Sequence, residues 1–199
     1  MAVGADLEPG TLLAAYRAGI FPWHDDPISW FSPDPRAIFP LDGFHVSRSL
    51  ERTIRRGAFR VTFDTAFREV MAGCAEPRPG REQTWISPAF IEAYTRLHGL
   101  GWAHSLECWD VDRLAGGIYG VAIGAWFGGE SMFAAERDAS KVAIAALVAR
   151  LAERGYALFD AQVMNPHLAS LGAVDIPRAA YLARLRDAVA ARPLRRIGD

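Results

Sequence analysis

Two polar residues interrupt an apolar run near the C-terminal end of the chain. The segment 158–165 reads Leu-Phe-Asp-Ala-Gln-Val-Met-Asn. If it forms a strand, Asp160 and Gln162 point to one face, and Phe159 and Ala161 point to the other. A buried aspartate costs several kcal/mol unless it is paired or hydrogen-bonded. The pattern therefore leaves two interpretations open, a structural carboxylate with partners or a reaction centre on the polar face.

A second acid, Glu130, lies in an apolar segment over 125–133. This segment is predicted to be the third strand of an antiparallel meander, after strands over 103–109 and 114–123. Glycines in the middle strand weaken its pairing, so we expect either a bulge or a close approach to its backbone. These glycines are Gly116, Gly117 and Gly120, followed by Gly124.

Four arginines follow a predicted N-cap at Ser47 with the spacing i, i+4, i+7 and i+8. This spacing places them on one face of a helix, with Leu50 and Ile54 on the opposite face packed against the body. A guanidinium stripe suits phosphate binding because its fork matches phosphate oxygens, and a plain solvated face remains the alternative. The four residues are Arg48, Arg52, Arg55 and Arg56.

The segment 20–40 is dense in proline and aromatic residues. We expect it to exclude helix and central strand and to fold as a loop onto the body. Its rings would either wall a cleft or form a minor hydrophobic cluster. Trp85, at the margin of the polar loop 76–83, could likewise be core or wall, and the sequence does not decide whether that loop is ordered.

Composition limits the class of protein. The chain has 199 residues, is 51% hydrophobic and has a formal net charge of -1, so any nucleic acid must be held by a local basic patch. With two cysteines and no recognisable signal peptide, we expect a cytoplasmic protein without disulfides. No apolar run is long enough to span a bilayer. The histidines show no metal-ligand spacing, so no metal site is predicted.

The order of predicted elements indicates an α+β fold. Helices are expected over 6–19, 65–74, 88–99 and 139–154, with a last helix from Arg178 to about Ala191. A meander followed by a helix and a further strand fits an acetyltransferase-like, GNAT-type fold, in which helices flank a mixed, mainly antiparallel sheet. The loop 134–141 has no glycine and two acidic residues, so it would receive the pyrophosphate of acetyl-CoA poorly. We expect a small N-terminal segment, 1–35, and a catalytic domain, 36–199.

Several phrases together resemble one family, the bacterial leucyl/phenylalanyl-tRNA–protein transferases, over about Asp6 to Leu185. The resemblance implies transfer of Leu or Phe, and less readily Met, from aminoacyl-tRNA to the N-terminal Arg or Lys of a protein, which marks that protein for degradation. It implies no cofactor. The phrases are Gly-Ile-Phe-Pro-Trp at 19–23, Trp-Phe-Ser-Pro-Asp-Pro-Arg at 30–36, Gly-Glu-Ser-Met-Phe at 129–133, Ala-Ser-Lys at 139–141 and Asp-Ala-Gln-Val-Met-Asn at 160–165.

The resemblance also implies roles by position. Asp160 and Gln162 match the catalytic pair and Glu130 a supporting acid, while Trp23 and Trp85 would hold the 3′ adenosine. The arginine helix would receive the acceptor stem. Residues implied for the pocket of the transferred side chain are Ile118, Met132, Ile144, Leu147, Leu151 and Phe159.

Two points stay open in the sequence. Strand alternation puts Phe159 opposite Asp160, so its pocket role requires a bulge or a twist. Two other functions also compete with the transferase, an acetyl-CoA-dependent N-acetyltransferase and a non-enzymatic RNA-binding module that uses the arginine helix alone.

Overall fold

The computed structural model describes residues 2–77 and 84–198. Most of the loop 76–83, whose order the sequence leaves open, lies outside the described residues. The elements, in chain order, are β1 (Ala2–Val3), α1 (Pro9–Arg17), β2 (Phe21–Asp25), β3 (Ile28–Phe31), β4 (Arg36–Phe39), α2 (Arg48–Arg55), β5 (Arg60–Phe63), α3 (Phe67–Ala75), α4 (Pro88–Gly99), β6 (Ala103–Asp110), β7 (Arg113–Ile123), β8 (Trp126–Ala134), α5 (Ala139–Glu153), β9 (Leu158–Gln162), α6 (Pro166–Ser170), β10 (Val174–Ile176) and α7 (Arg178–Ala190).

Ten strands form two sheets within the described part of the chain. A three-stranded sheet has the order β1-β3-β2, and a seven-stranded sheet has the order β10-β4-β9-β8-β7-β6-β5. Neighbours in the large sheet are antiparallel except for β8 and β9, which run parallel. The predicted mixed, mainly antiparallel α+β fold is confirmed, and so is the meander β6-β7-β8.

The large sheet separates two hydrophobic cores. One contains Tyr16 of α1, Tyr94 of α4 and Tyr181 of α7, and the other contains Leu50 of α2 and Ile144 of α5. Adjacent residues in a strand alternate between the cores, as the pleat requires. In β9, Leu158 belongs to the first core and Phe159 to the second.

The expectation for segment 20–40 is wrong. It contains β2, β3 and β4, and β4 is an internal strand between β10 and β9. Proline is compatible with this arrangement because Pro35 and Pro40 flank β4, while Pro22 lies in β2 at the edge of the small sheet. Flanking prolines limit the length of a strand without removing its ladder hydrogen bonds.

Three further findings concern the described residues. No helix there is long and apolar enough to cross a membrane. No group of three or more His, Cys, Asp or Glu side chains there could hold a metal ion. Cys74 and Cys108 are both buried and form no disulfide bond with each other.

Candidate active site

A cavity opens where β8 and β9 separate. The parallel pair is joined at Trp126 with Leu158, Phe127 with Phe159, and Gly128 with Asp160, and β8 then continues without β9 as its neighbour. Side chains beyond the last pair line a cavity of about 390 Å³. The split in the sheet thus creates a cavity whose polar lining residues include Glu130, Ser131 and Gln162.

A β-bulge places Glu130. Its neighbours Gly129 and Ser131 pair with successive residues of β7, so Glu130 is the extra residue in β8. Bulges re-aim side chains next to functional sites. Here the bulge directs a carboxylate toward the cavity, and it lies in β8 opposite Tyr119 and Gly120 of the glycine-rich strand β7.

The Glu130 carboxylate is hydrogen-bonded on both oxygens. Gln162 donates Nε2–H to Oε1 at 3.0 Å, and the Tyr94 hydroxyl donates to Oε2 at 3.4 Å. Tyr94 is in turn hydrogen-bonded to the buried Tyr16 hydroxyl. Burial raises the pKa of Glu130 to about 7, and the charge of Asp160 adds to this rise while the hydrogen bonds of the carboxylate oppose it. Among the described residues that line the cavity, Glu130 is the one ionisable side chain.

Gln162 also lies at a bulge. The register of β9 against β4 shifts between Asp160 and Gln162, so Ala161 is the extra residue. Gln162 has a φ of 63, a left-handed backbone conformation that is uncommon for a residue other than glycine. This conformation ends the strand and turns the Gln162 amide into the cavity beside Glu130.

Asp160 lies behind the cavity and not on its wall. The residue is 0% exposed. Its Oδ1 accepts from Arg36 Nε at 2.8 Å and from the Gln162 backbone N–H at 2.9 Å. Its Oδ2 accepts from Arg36 Nη2 at 2.6 Å and from the Tyr181 hydroxyl at 2.7 Å. The side chains of Asp160 and Gln162 do not share a face as alternation predicts, because the backbone of Gln162 breaks the alternation, and the catalytic role of Asp160 stays a prediction.

Since Asp160 points away from the cavity, its neighbour Phe159 points toward it. Its ring lines the cavity and packs on Phe39 with centroids 5.1 Å apart. Simple alternation puts Phe159 and Asp160 on opposite sides, as expected, and the cavity lies on the side of Phe159. The pocket position of Phe159 consequently requires no bulge.

Both predicted tryptophans line the cavity. Trp23 of β2 packs against Phe31 with centroids 5.4 Å apart, and Trp85 packs edge-on against Phe90 at 5.2 Å. Each indole is partly exposed and held by an apolar neighbour. Of the two alternatives for Trp85, the structure places it in the wall.

The six predicted pocket residues divide into two groups. Ile118, Met132 and Phe159 line the cavity. Ile144 and Leu151 are 0% exposed within the second core, and Leu147 faces a separate narrow void without room for a water molecule. These three residues of α5 lie in the layer beneath the sheet and are not among the side chains that line the cavity, so their part in the pocket stays a prediction. Lining side chains that the sequence analysis did not identify are Phe21, Phe39, Met164 and Leu168.

The arginine stripe is exposed as predicted. Arg48, Arg52, Arg55 and Arg56 are all exposed, and Ser47 caps α2 by accepting from the Leu50 backbone N–H at 3.2 Å. The prediction for the packed face is partly wrong, because Leu50 is 2% exposed but Ile54 is 43% exposed. Helix α2 has only 8 residues, and Leu50 is the buried one among them.

Arg36 is a site residue that the sequence analysis missed. It is 1% exposed, and its guanidinium forms the ion pair with Asp160. Burial alone would lower the pKa of Arg36, but the charge and hydrogen bonds of Asp160 raise it overall. The signal was present, since Arg36 precedes the apolar run Ala-Ile-Phe and a buried arginine requires an acid. No comparable sequence pattern indicated that Tyr181 would contact Asp160.

Together, the split parallel strands and the apolar cavity with its carboxylate and amide define an α+β protein built to hold an apolar group next to a hydrogen-bonding centre. A family model described as leucyl/phenylalanyl-tRNA protein transferase matches residues 38–186, and the model of the N-terminal domain of that family matches residues 5–34. The chain belongs to this family.

Similar proteins bear the same description. A leucyl/phenylalanyl-tRNA–protein transferase from Anaeromyxobacter dehalogenans (strain 2CP-C) is 54% identical over 98% of this chain and 85% of its own length. One from Magnetococcus marinus is 51% identical over 96% of this chain and 83% of its own length. Among solved structures, L-PGS from Bacillus licheniformis aligns with a TM-score of 0.48 and 12% identity, over 93% of this chain and 71% of that one.

Proposed function

We propose that this protein transfers Leu or Phe, and less readily Met, from aminoacyl-tRNA to the N-terminal Arg or Lys of acceptor proteins, which marks them for degradation. The observation that carries the proposal is the cavity at the split of β8 and β9, which is mostly apolar and has Glu130 as the one ionisable side chain among its described lining residues. Apolar walls suit the transferred side chain. The carboxylate suits a cationic acceptor.

The fold is acetyltransferase-like in this proposal. Its support is the parallel pair β8 and β9 that separates in the middle of a mixed sheet. We divide the chain into an N-terminal segment, 1–35, and a catalytic domain, 36–199, because the small sheet ends with β3 and the large sheet begins with β4 at Arg36.

The donor would occupy the cavity and its rim. Trp23 and Trp85 offer aromatic faces for the 3′ adenosine, since bases stack on such rings. The transferred side chain would contact Ile118, Met132 and Phe159, and α5 would set the depth of the pocket from beneath through Ile144, Leu147 and Leu151. The arginines of α2 would hold phosphates of the acceptor stem.

The chemistry requires alignment more than activation, because the donor ester is already reactive. The acceptor α-amine, with a pKa near 7.7–8.0, must lose a proton before it attacks. A carbon–nitrogen bond then forms, the bond from the carbonyl carbon to the ribose oxygen breaks, and that oxygen takes up a proton. Gln162 retains one amide N–H and its carbonyl oxygen to orient the ester or the amine.

Acceptor specificity would rest on Glu130. One carboxylate in a mostly apolar cavity attracts an N-terminal Arg or Lys and leaves an acidic terminus unpaired. Asp160 cannot share this role directly because it is fully buried and paired with Arg36.

One assay tests the function. The protein is given labelled Leu-tRNA or labelled acetyl-CoA with a peptide that begins with Arg, and a peptide that begins with Glu is the control. Label on the Arg peptide from the tRNA alone supports the proposal. Acetylated peptide would support an N-acetyltransferase, and tRNA binding without product would support an RNA-binding module. Since the proposed donor is made in the cytoplasm, we also infer a cytoplasmic location.

A further inference from the structure

We propose that Arg36 and Tyr181 are positioning residues, which fix the backbone of Gln162 by holding Asp160 from behind the cavity. This inference rests on the proposed function. It assigns Asp160 the role of a strut that acts through Gln162, and it removes Asp160 from contact with the substrate.

All three guanidinium nitrogens of Arg36 form hydrogen bonds. Two of its nitrogens donate to the two oxygens of Asp160, and Nη1 donates to the Gly19 carbonyl oxygen at 3.0 Å. Its Cζ lies over the rings of Phe21 and Tyr181, at 4.8 Å and 4.5 Å from their centroids. The fork therefore has a fixed direction, and a lysine could not reproduce it.

Tyr181 completes the arrangement from α7. Burial, and then the charge of Asp160, raise the pKa of Tyr181, so the phenol keeps its proton and donates it to Oδ2. With this bond, Asp160 has two partners on each oxygen. The carboxylate cannot rotate without losing several charge-assisted hydrogen bonds.

One of these four hydrogen bonds connects Asp160 to the active site. The backbone N–H of Gln162 donates to Asp160 Oδ1 at 2.9 Å, and Gln162 has the left-handed φ of 63. The strand that carries Arg36 also pairs with this region, since Ala37 is opposite Gln162. Strand β4 thus contributes both the register and the cation that hold the Gln162 turn.

Stability alone gives no reason for the ion pair. A buried ion pair that is replaced as a unit by apolar residues of similar size often leaves a protein as stable as before. We infer that the ion pair instead fixes the backbone conformation of Gln162, and this conformation directs the Gln162 side-chain amide toward Glu130.

The test is the double variant Arg36→Met/Asp160→Leu, compared with the wild type by thermal unfolding and by transfer of Leu to an Arg peptide. We expect a folded protein whose kcat is lower by about 100-fold, the size of effect that misplacement of one group produces. The KM for Leu-tRNA should stay within about three-fold, because binding groups on the cavity wall are intact. The exposed pair Arg113 and Glu136, 2.6 Å apart, replaced together by Gln, is the control and should keep its kcat.

A second variant decides the matter if the double variant does not fold. Tyr181→Phe removes only the hydroxyl that donates to Asp160, and we expect kcat to fall by about ten-fold with an unchanged KM for Leu-tRNA. Tyr156→Phe, a buried tyrosine of the second core, should keep the wild-type kcat. The inference would be overturned if the double variant folds and has the wild-type kcat. If the double variant does not fold, a wild-type kcat for Tyr181→Phe would overturn it. If the wild type transfers nothing from Leu-tRNA, the proposed function itself fails, and the inference with it.

Discussion

Glu130 combines three features that bear on its chemistry. It projects from a bulge, it lies in a mostly apolar cavity, and it shares a hydrogen-bond network with Gln162 and Tyr94. Its pKa is raised to about 7, principally by burial. The charge of the proposed acceptor site therefore changes near neutral pH.

The first prediction concerns pH. Above about pH 7 the Glu130 carboxyl is ionised and attracts a cationic acceptor, and below it the attraction is lost. The KM for an Arg peptide should therefore rise as the pH falls from 8 to 6. Glu130→Gln should show a high KM that lacks this contribution and keeps only the pH dependence of the acceptor α-amine itself, whose pKa is near 7.7–8.0. Peptide KM measured at fixed Leu-tRNA gives the profile.

A comparison peptide separates charge recognition from a general loss of activity. A peptide that begins with citrulline keeps the shape of Arg without its charge. Its KM should be similar for the wild type and for Glu130→Gln. If Glu130→Gln still shows a pH-dependent difference in KM between the Arg peptide and the citrulline peptide, the titrating group is a residue other than Glu130.

At the scale of elements, the paired bulges depend on close strand contact. A β-carbon added at Gly120 of β7 would overlap the Gly128 carbonyl oxygen and the ring of Phe127. Gly120 pairs with Gly129, immediately before Glu130. The glycine is therefore required by the close approach of β7 to β8.

The second prediction is that Gly120→Ala moves β7 and β8 apart. Overpacking of this kind costs about 1–3 kcal/mol, so the free energy of unfolding in urea should fall by that amount. Transfer activity should fall as well, because Glu130 is displaced. Gly10→Ala is the control, since nothing lies within 4 Å of its added carbon, and its unfolding midpoint should not fall. An unchanged unfolding midpoint for Gly120→Ala would show that the strands accommodate the methyl group.

The helix α2 carries the third prediction. Arg52→Gln should weaken binding of tRNA and reduce the slope of log affinity against log salt by up to about 0.9, the effect of one lost phosphate contact. Arg55→Gln should have a smaller effect, because Arg55 already pairs with Glu51 at 2.6 Å. Binding is measured by filter retention between low and moderate salt.

A charge-matched variant serves as the control for this helix. Arg68→Gln removes an exposed arginine from α3, where it pairs with Glu92 at 3.5 Å. Its salt slope should equal that of the wild type. Equal slopes for Arg52→Gln and the wild type would place the tRNA on another surface.

At the scale of the whole molecule, one cavity joins distant parts of the chain. Trp23 comes from the small sheet, Trp85 precedes α4, and Glu130 and Gln162 come from the large sheet. Donor and acceptor can meet only if these parts pack together. The arrangement explains why the polar residues of one strand cannot by themselves define the site.

The fourth prediction uses the two tryptophans. Stacking on an aromatic ring is worth about 1–3 kcal/mol per base, so Trp23→Ala and Trp85→Ala should each raise the KM for Leu-tRNA by roughly 5-fold to 150-fold. The KM for the Arg peptide should change little. The partly exposed Trp102, which is not among the cavity-lining residues, provides Trp102→Ala as the control. A change confined to the peptide KM would assign these rings to the acceptor.

Much of the architecture follows from local sequence. Helix α4 begins at Pro88 and ends at Gly99, as capping and glycine predict, and the meander has the predicted order. Local periodicity is sufficient there because each element is specified by its own apolar pattern. Strand β4 was missed because four residues between prolines carry too short a pattern, and β10 because it has only three residues.

The sequence by itself determined the family and the mainly antiparallel sheet, and it singled out Asp160 and Gln162 at the end of β9 as candidate site residues. Only the tertiary structure decided that Asp160 turns away from the cavity toward Arg36, a partner 124 positions away in the chain. Alternation in a strand is a local property, whereas the side on which a sheet opens depends on where distant strands part. For the same reason α5 forms the layer beneath the sheet, although the family resemblance implied that three of its residues line the pocket.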